Sequence, residues 1–143
     1  MTQVLDNPAG RPDAVHEYDE VRQVVQMFLD GEAKGDAAKL QEASHADARV
    51  FGSVAGTRYD MPMAEFIELA VKEPGDTGSH RACIRAVQLT QDAAVAEVAE
   101  EGYWGSLSFI DYIQLARFEG NWKVVSKLFA HTGGDLPAGD SNP

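Results

Sequence analysis

The sequence predicts an α+β fold, a cone-shaped and strongly bent antiparallel sheet packed on three N-terminal helices. Three observations carry that expectation. Apolar residues recur at helical spacing through the first half of the chain, β-rich or alternating runs fill the second half, and short turns join those runs. Strands joined by short turns are antiparallel. Helices that precede them are then massed on one face of the sheet.

Each element has its own signal. From Val15 to Lys34, Tyr18, Val21, Val25, Phe28 and Leu29 share one helical face. Gly35 ends that helix, and Asp36 caps a short second one carrying Leu40 and Ala43. "ARVFGS" and "TRYD" read as a strand pair turning near Val54 to Gly56. Pro62 starts a third helix with Phe66, Ile67 and Ala70, which "EPGDTG" stops. "HRACIRAVQL", "AAVAEVAEEGYW", "LSFIDYIQLARF" and "NWKVVSKLFAH" complete a four-strand meander.

A chain of 143 residues suits a single core. That core is expected over 15–132, between a disordered tail at 1–14 and a flexible tail at 133–143, both rich in Gly, Pro, Asp and Asn. The net charge of −11 disfavours nucleic acid and anionic membranes as partners. The opening "MTQVLDNPAGRPDA" does not read as an export signal, and no apolar run is long enough to cross a bilayer. Cys83 stands alone, so neither an internal disulfide nor a thiolate metal cage is expected, and a cytoplasmic location fits. His16 and His80 lack ligand-like spacing, and no nucleophile-triad, Walker or dinucleotide motif is present. Neither metal nor cofactor is expected.

Three stretches, "VVQMFLDGEAKGDAAKLQEASHADARVFGS", "GTRYDMPMAEFIEL" and "FEGNWKVVSKLFAHTGG", resemble the nuclear transport factor 2-like fold, also described as a cystatin-like α+β roll. The shared motif is a helix ending in Gly-Asp, a short acidic-Ala strand entry and a final Gly-X-Trp-Lys-Val-Val strand. Within that superfamily, which includes the SnoaL and ketosteroid isomerase-like proteins, the chain looks most like the lumazine-binding group. The resemblance spans about Tyr18 to Gly134 and implies a fold that hosts isomerases, cyclases, dehydratases and binding domains. Matched residue by residue, the isomerases' tyrosine donor falls on Phe28 and their aspartate base on Gly52. Ketosteroid isomerase chemistry is therefore not expected.

The candidate site is read from the last hairpin. A two-residue loop at Glu119-Gly120 or Gly120-Asn121 puts Tyr112 and Gln114 on the face of Lys127, Phe129 and His131. The opposite face then holds Asp111 with Trp122, Val124 and Leu128. A three-residue loop or a β-bulge would instead bring Asp111 beside His131, as an acid–base pair. Aligned with the isomerases, Lys127, Phe129 and His131 fall on the concave side. Tyr112, Gln114, Lys127 and Phe129, with Trp104, Arg58 and Tyr59 near the mouth, are the candidate ligand-binding residues; His131 and Asp111 are the candidate catalytic ones. The expected activity is binding of an apolar or heteroaromatic small molecule. The alternatives are a cofactor-independent isomerase, cyclase or dehydratase using His131 with Tyr112 or Asp111, and a dimer-forming accessory domain. A homodimer through the convex sheet face is expected, because helices cover only one of two apolar faces.

Overall fold

The computed structural model describes residues 14–136. Of the tails read at 1–14 and 133–143, residues 1–13 and 137–143 lie outside the described residues, while Ala14 opens α1 and Gly133 closes the last strand. Three helices, α1 (Ala14–Lys34), α2 (Ala37–Ala43) and α3 (Met63–Lys72), pack on six strands. The strands are β1 (Ser44–Val54), β2 (Thr57–Pro62), β3 (Asp76–Thr90), β4 (Ala93–Tyr103), β5 (Leu107–Phe118) and β6 (Asn121–Gly133). Their order in the curved sheet is β2-β1-β6-β5-β4-β3. β1 runs parallel to β6, and every other pairing is antiparallel.

The local signals act as their chemistry requires. Gly35 adopts a φ of 68°, which costs a glycine nothing and terminates α1. Asp36 Oδ1 accepts a hydrogen bond from the Lys39 N–H at 3.1 Å and caps α2. Pro62 precedes the first turn of α3, where its missing N–H is no loss. β1 begins earlier than the strand read from "ARVFGS" and takes in Ser44, His45, Ala46 and Asp47.

Helices cover the concave face. Val21, Val25 and Phe28 of α1, Leu40 of α2 and Phe66 of α3 meet Val50, Ile113 and Val124 of the sheet in one core. A smaller cluster of Val54, Tyr103, Leu107 and Phe109 lies at the other end of the cone, flanked by Tyr59, Trp104, Phe129 and Leu136. Leu136 belongs to the segment read as a flexible tail; Ser106 Oγ donates to the carbonyl of the preceding Asp135.

The last hairpin takes the bulged register, the alternative left open above, and so exchanges the faces expected of a plain two-residue hairpin. Its turn is the two-residue Glu119-Gly120 loop, with Phe118 opposite Asn121 and Leu115 opposite Val124. Val125 is then bulged out, and from Gln114 opposite Ser126 onward the partner is displaced by one residue. Side chains alternate, so one extra residue exchanges the faces of everything beyond it. Lys127, Phe129 and His131 thereby join Asp111, Phe109 and Ile113 on the inner face. Tyr112 and Gln114 point outward. Trp122 and Val124, expected outside, are buried, whereas Leu128 is exposed.

Gly52 shows how tightly this face is packed. A Cβ there would lie 2.5 Å from the Phe129 carbonyl oxygen and 2.7 Å from its ring. Gly52→Ala should therefore destabilise the fold by about 1–3 kcal/mol, the usual cost of overpacking. Urea unfolding of the variant checks this; an unchanged midpoint would show that Phe129 is free to move.

Candidate functional site

Between α1 and the inner face of the sheet lie four charged side chains where apolar ones are the rule, one from the helix and three from the strands. Glu32 continues the buried stripe of α1, Glu100 ends the inward row of Ala94, Ala96 and Val98 on β4, Asp111 interrupts β5, and Lys127 follows the bulge on β6. None is more than 4% exposed. Lys127 Nζ donates to Glu32 Oε1 at 2.6 Å and stands 3.7 Å from Glu100 Oε2. Glu32, Glu100 and Asp111 each bring an oxygen within 4.8 Å of the others.

Aromatic rings enclose the ammonium. Lys127 Nζ lies 5.0 Å from the ring centroid of Phe66, 5.6 Å from Phe129, 5.7 Å from Phe28 and 5.9 Å from Tyr103. Such faces attract a cation and partly replace its lost hydration. Burial works to lower the Lys127 pKa, but Glu32, Asp111 and Glu100 outweigh it and hold the ammonium well above its ordinary value. Lys127 therefore stays charged. Burial, reinforced by Glu32 and Asp111 and opposed by Lys127, pushes the Glu100 carboxyl well above the usual carboxylate range. Burial likewise raises the Tyr103 hydroxyl well above its usual value.

His80 extends the cluster toward β3. Its Nε2 lies 2.7 Å from Glu100 Oε1, and its ring meets Tyr103 edge-on at 5.7 Å. Asp76 holds the turn before it by accepting from the Gly78 and His80 N–H groups and from Lys34 Nζ. Those bonds keep the Asp76 carboxyl down at about 2.

Above Lys127 opens a narrow cavity of about 30 Å³, lined by Val50, Tyr59, Phe66, Trp104, Phe109 and Phe129 among others. That is room for roughly two waters. Lys127 is its one charged lining residue among the described residues. Trp104 sits at a φ of 53° and donates its Nε1–H to the Glu73 carbonyl at 2.8 Å, which pins the turn after β4 to the loop after α3. Burial, then Glu73, raises the Tyr59 hydroxyl pKa.

Among the residues singled out by sequence, Lys127, Phe129, Trp104 and Tyr59 come together around this cavity. Lys127 does not snorkel to solvent. Asp111 lies behind it in the charged cluster. Tyr112 and Gln114 do not take part, because the Val125 bulge leaves them on the outer face. Arg58 also faces away: its guanidinium pairs with Asp60 at 3.2 Å and lies over the Phe51 ring at 5.4 Å. His131 shares the inner face, yet both its ring nitrogens are engaged. Nδ1 accepts from the Ala55 N–H at 3.1 Å, so the proton sits on Nε2, which donates to the carbonyls of Gly133 at 2.9 Å and Gly134 at 2.8 Å. It ties the end of β6 to the β1–β2 turn.

The sequence reading passed over Glu32 and Glu100 and weighed His80 only as a metal ligand. The signal for the two acids was present: Glu32 falls on the helical stripe of Val25, Phe28 and Leu29, and Glu100 on the alternation of Ala94, Ala96 and Val98. A carboxylate placed on a buried stripe needs a cation opposite it.

The family model described as "Putative lumazine-binding" matches residues 16–130. The chain belongs to that family. Solved structures place the fold among the NTF2-like proteins. One of unknown function from Shewanella baltica OS155 superposes with a TM-score of 0.74 at 24% identity, over 84% of this chain and 97% of that one. Another, from Silicibacter pomeroyi DSS-3, gives 0.76 at 19% identity over 83% and 98%. A ketosteroid isomerase-like protein from Erwinia carotovora atroseptica gives 0.66 at 14% identity over 82% and 97%. Among curated proteins, the aldolase FrzH of a Cladobotryum species is 21% identical over 113 residues, 79% of this chain and 90% of that protein. These relationships support a ligand-binding domain of the NTF2-like superfamily.

Removing His131 tests its bonding role. Expected for His131→Ala is a loss of about 1–2 kcal/mol in unfolding free energy, because the Ala55 N–H and two carbonyls lose a partner. Ligand affinity should not change. Chemical denaturation and a binding titration on the same sample separate the two; weaker binding at unchanged stability would return His131 to the site.

Proposed function

We propose that this family member binds a flat apolar or heteroaromatic small molecule in the cone, with a carbonyl oxygen of the ligand accepting a hydrogen bond from Lys127 Nζ. The carrying observation is the ammonium itself: among the described residues it is the cavity's one charged lining group, ringed by aromatic faces and bonded to Glu32. A neutral acceptor suits it better than a carboxylate, because Glu32, Glu100 and Asp111 already stand behind it. Lumazine, the compound in the family's description, is a bicyclic ring dione of this kind. The closed cavity is too small for two fused rings, so binding requires Tyr59, Trp104 or Leu136 to move aside. All three lie at the cone's mouth, on a short edge strand, a turn and the chain beyond β6.

The aldolase relative favours a second reading, carbonyl chemistry at the same anchor. Lys127 would then stabilise an enolate oxygen as a cation. An imine requires the free amine, which the surrounding carboxylates oppose. His131 and Tyr112 have no part in this reading, His131 because its nitrogens are engaged and Tyr112 because it faces outward.

Titration with lumazine, followed by tryptophan quenching and by lumazine's own fluorescence, should show saturable binding. Trp104→Ala should weaken it about tenfold, or about 1.4 kcal/mol, the upper range for one aromatic contact. Borohydride added to protein with a carbonyl ligand should leave the mass unchanged. No saturation up to the solubility limit would sink the binding reading, and a reduced covalent adduct would sink the cationic role of Lys127.

The convex face supports the homodimer reading. Phe51, Leu128 and Tyr112 stand side by side on β1, β6 and β5, each more than 40% exposed. Three adjacent large apolar side chains at the centre of a sheet are the composition of an interface core. We expect twice the 15.5 kDa chain mass in sedimentation at micromolar concentration, and a shift to the single chain in Leu128→Glu. Wild-type protein that stays monomeric would refute the interface. A cytoplasmic setting is the compartment that suits the lone exposed Cys83; no helix among the described residues is long and apolar enough to cross a membrane.

A further inference from the structure

One ammonium serves three carboxyls in this cluster, and its bonds do not reach all of them. Lys127 Nζ bonds Glu32 Oε1 at 2.6 Å, but 3.7 Å to Glu100 Oε2 is beyond hydrogen-bond range. His80 Nε2 occupies the other Glu100 oxygen at 2.7 Å. Glu100 Oε2 and both Asp111 oxygens are buried with no N–H or hydroxyl donor among the described residues. Glu100 and Asp111 come from neighbouring strands, where Val98 pairs with Asp111 and Glu100 with Phe109, and both point inward. Two bare carboxylates so close and so dry repel each other strongly. A proton placed between them turns that repulsion into a hydrogen bond.

We propose that Glu100 and Asp111 share one proton, with Glu100 Oε2–H donating to Asp111, and that this pair positions Lys127 for the ligand. The second half rests on the reading of Lys127 as the carbonyl anchor. Every group that faces the pair fits the assignment. Glu32 on α1 holds Lys127, His80 on β3 donates to Glu100 Oε1, Tyr103 on β4 stays a neutral phenol, and Lys127 on β6 balances the remaining charge on Asp111.

The consequence lies in where the free N–H bonds of Lys127 point. With the proton in place, Glu100 is neutral and leaves one of them to the cavity. When the proton is lost, Glu100 becomes an anion 3.7 Å from Nζ and draws the ammonium away from the ligand. The folded carboxyl titrates above its ordinary range, so binding is complete at low pH and is lost as pH rises through that raised value.

Infrared spectroscopy on protein labelled with ¹³C-carboxyl glutamate reads the proton directly. At neutral pH the wild type should show the carbonyl stretch of a protonated carboxyl, shifted by the label. Glu100→Gln should lack it. Coumarin, which has one ring carbonyl and no titratable group, then reads the positioning role. Its affinity for wild type should fall in step with the loss of the band, by up to about tenfold per pH unit. Glu100→Gln should bind with the full low-pH affinity at every pH, because the amide donates to Asp111 and accepts from His80 as the acid does. Absence of the labelled band, or its persistence in Glu100→Gln, overturns the shared proton. Affinity that changes while the band stays constant, or that falls equally in Glu100→Gln, overturns the positioning role. If coumarin binds at no pH, the positioning role fails together with the ligand reading, and the band alone still decides the proton.

Discussion

The Lys127–Glu32 ion pair is the constraint around which the rest of the molecule is arranged. It joins the last strand to the first helix, elements 95 positions apart in the chain, at 2.6 Å and without access to water. Burying two charges costs several kcal/mol each before their attraction is counted, so such a pair contributes less to net stability than its closeness suggests. What it imposes is placement. α1 can slide or rotate on an apolar sheet at modest cost, but not without separating Glu32 from the ammonium. The aromatic faces of Phe28, Phe66, Tyr103 and Phe129 complete the enclosure, and their positions follow from the charge they surround.

The same constraint shapes the cavity. A cone packed wholly with apolar side chains would close on itself, whereas Lys127 keeps a polar point at its floor and holds the rings around it apart. Its walls are aromatic and its mouth is held by hydrogen bonds from side chains to the backbone. His131 ties the end of β6 to the β1–β2 turn, and Trp104 ties the turn after β4 to the loop after α3. Rigid walls with clasped rims give a small opening that can widen by side-chain rotation, without disturbing the strands.

How much was legible in the sequence differs between the fold and the site. The helices, their caps and the order of strands follow from local chemistry at Gly35, Asp36 and Pro62 and from periodicity, and the structure matches those. The parallel pairing of β1 with β6 was not legible, because no local signal distinguishes the inner neighbour of a strand that returns from afar. Of the candidate residues chosen by type, Lys127, Phe129, Trp104 and Tyr59 line one aromatic cavity, and its use as a binding site is the function proposed above. Tyr112 and Gln114 were misplaced for a single reason, the Val125 bulge, which leaves no mark in composition or spacing. Glu32 and Glu100 were legible in principle, as acids on stripes that the same periodicity assigns to the interior. Their partner was not, since long-range pairing is a property of the assembled sheet.

The bulge at Val125 has a consequence for how this chain is matched to its relatives. Where another chain of the same architecture lacks the extra residue, an ungapped comparison of the final strand equates positions that occupy opposite sides of the sheet. A cavity lysine would be set against a solvent residue, and a surface leucine against a pocket aromatic. At identities of 14–24%, equivalence along this strand has to be set by hydrogen-bond register on both sides of Val125 before any functional residue is transferred in either direction.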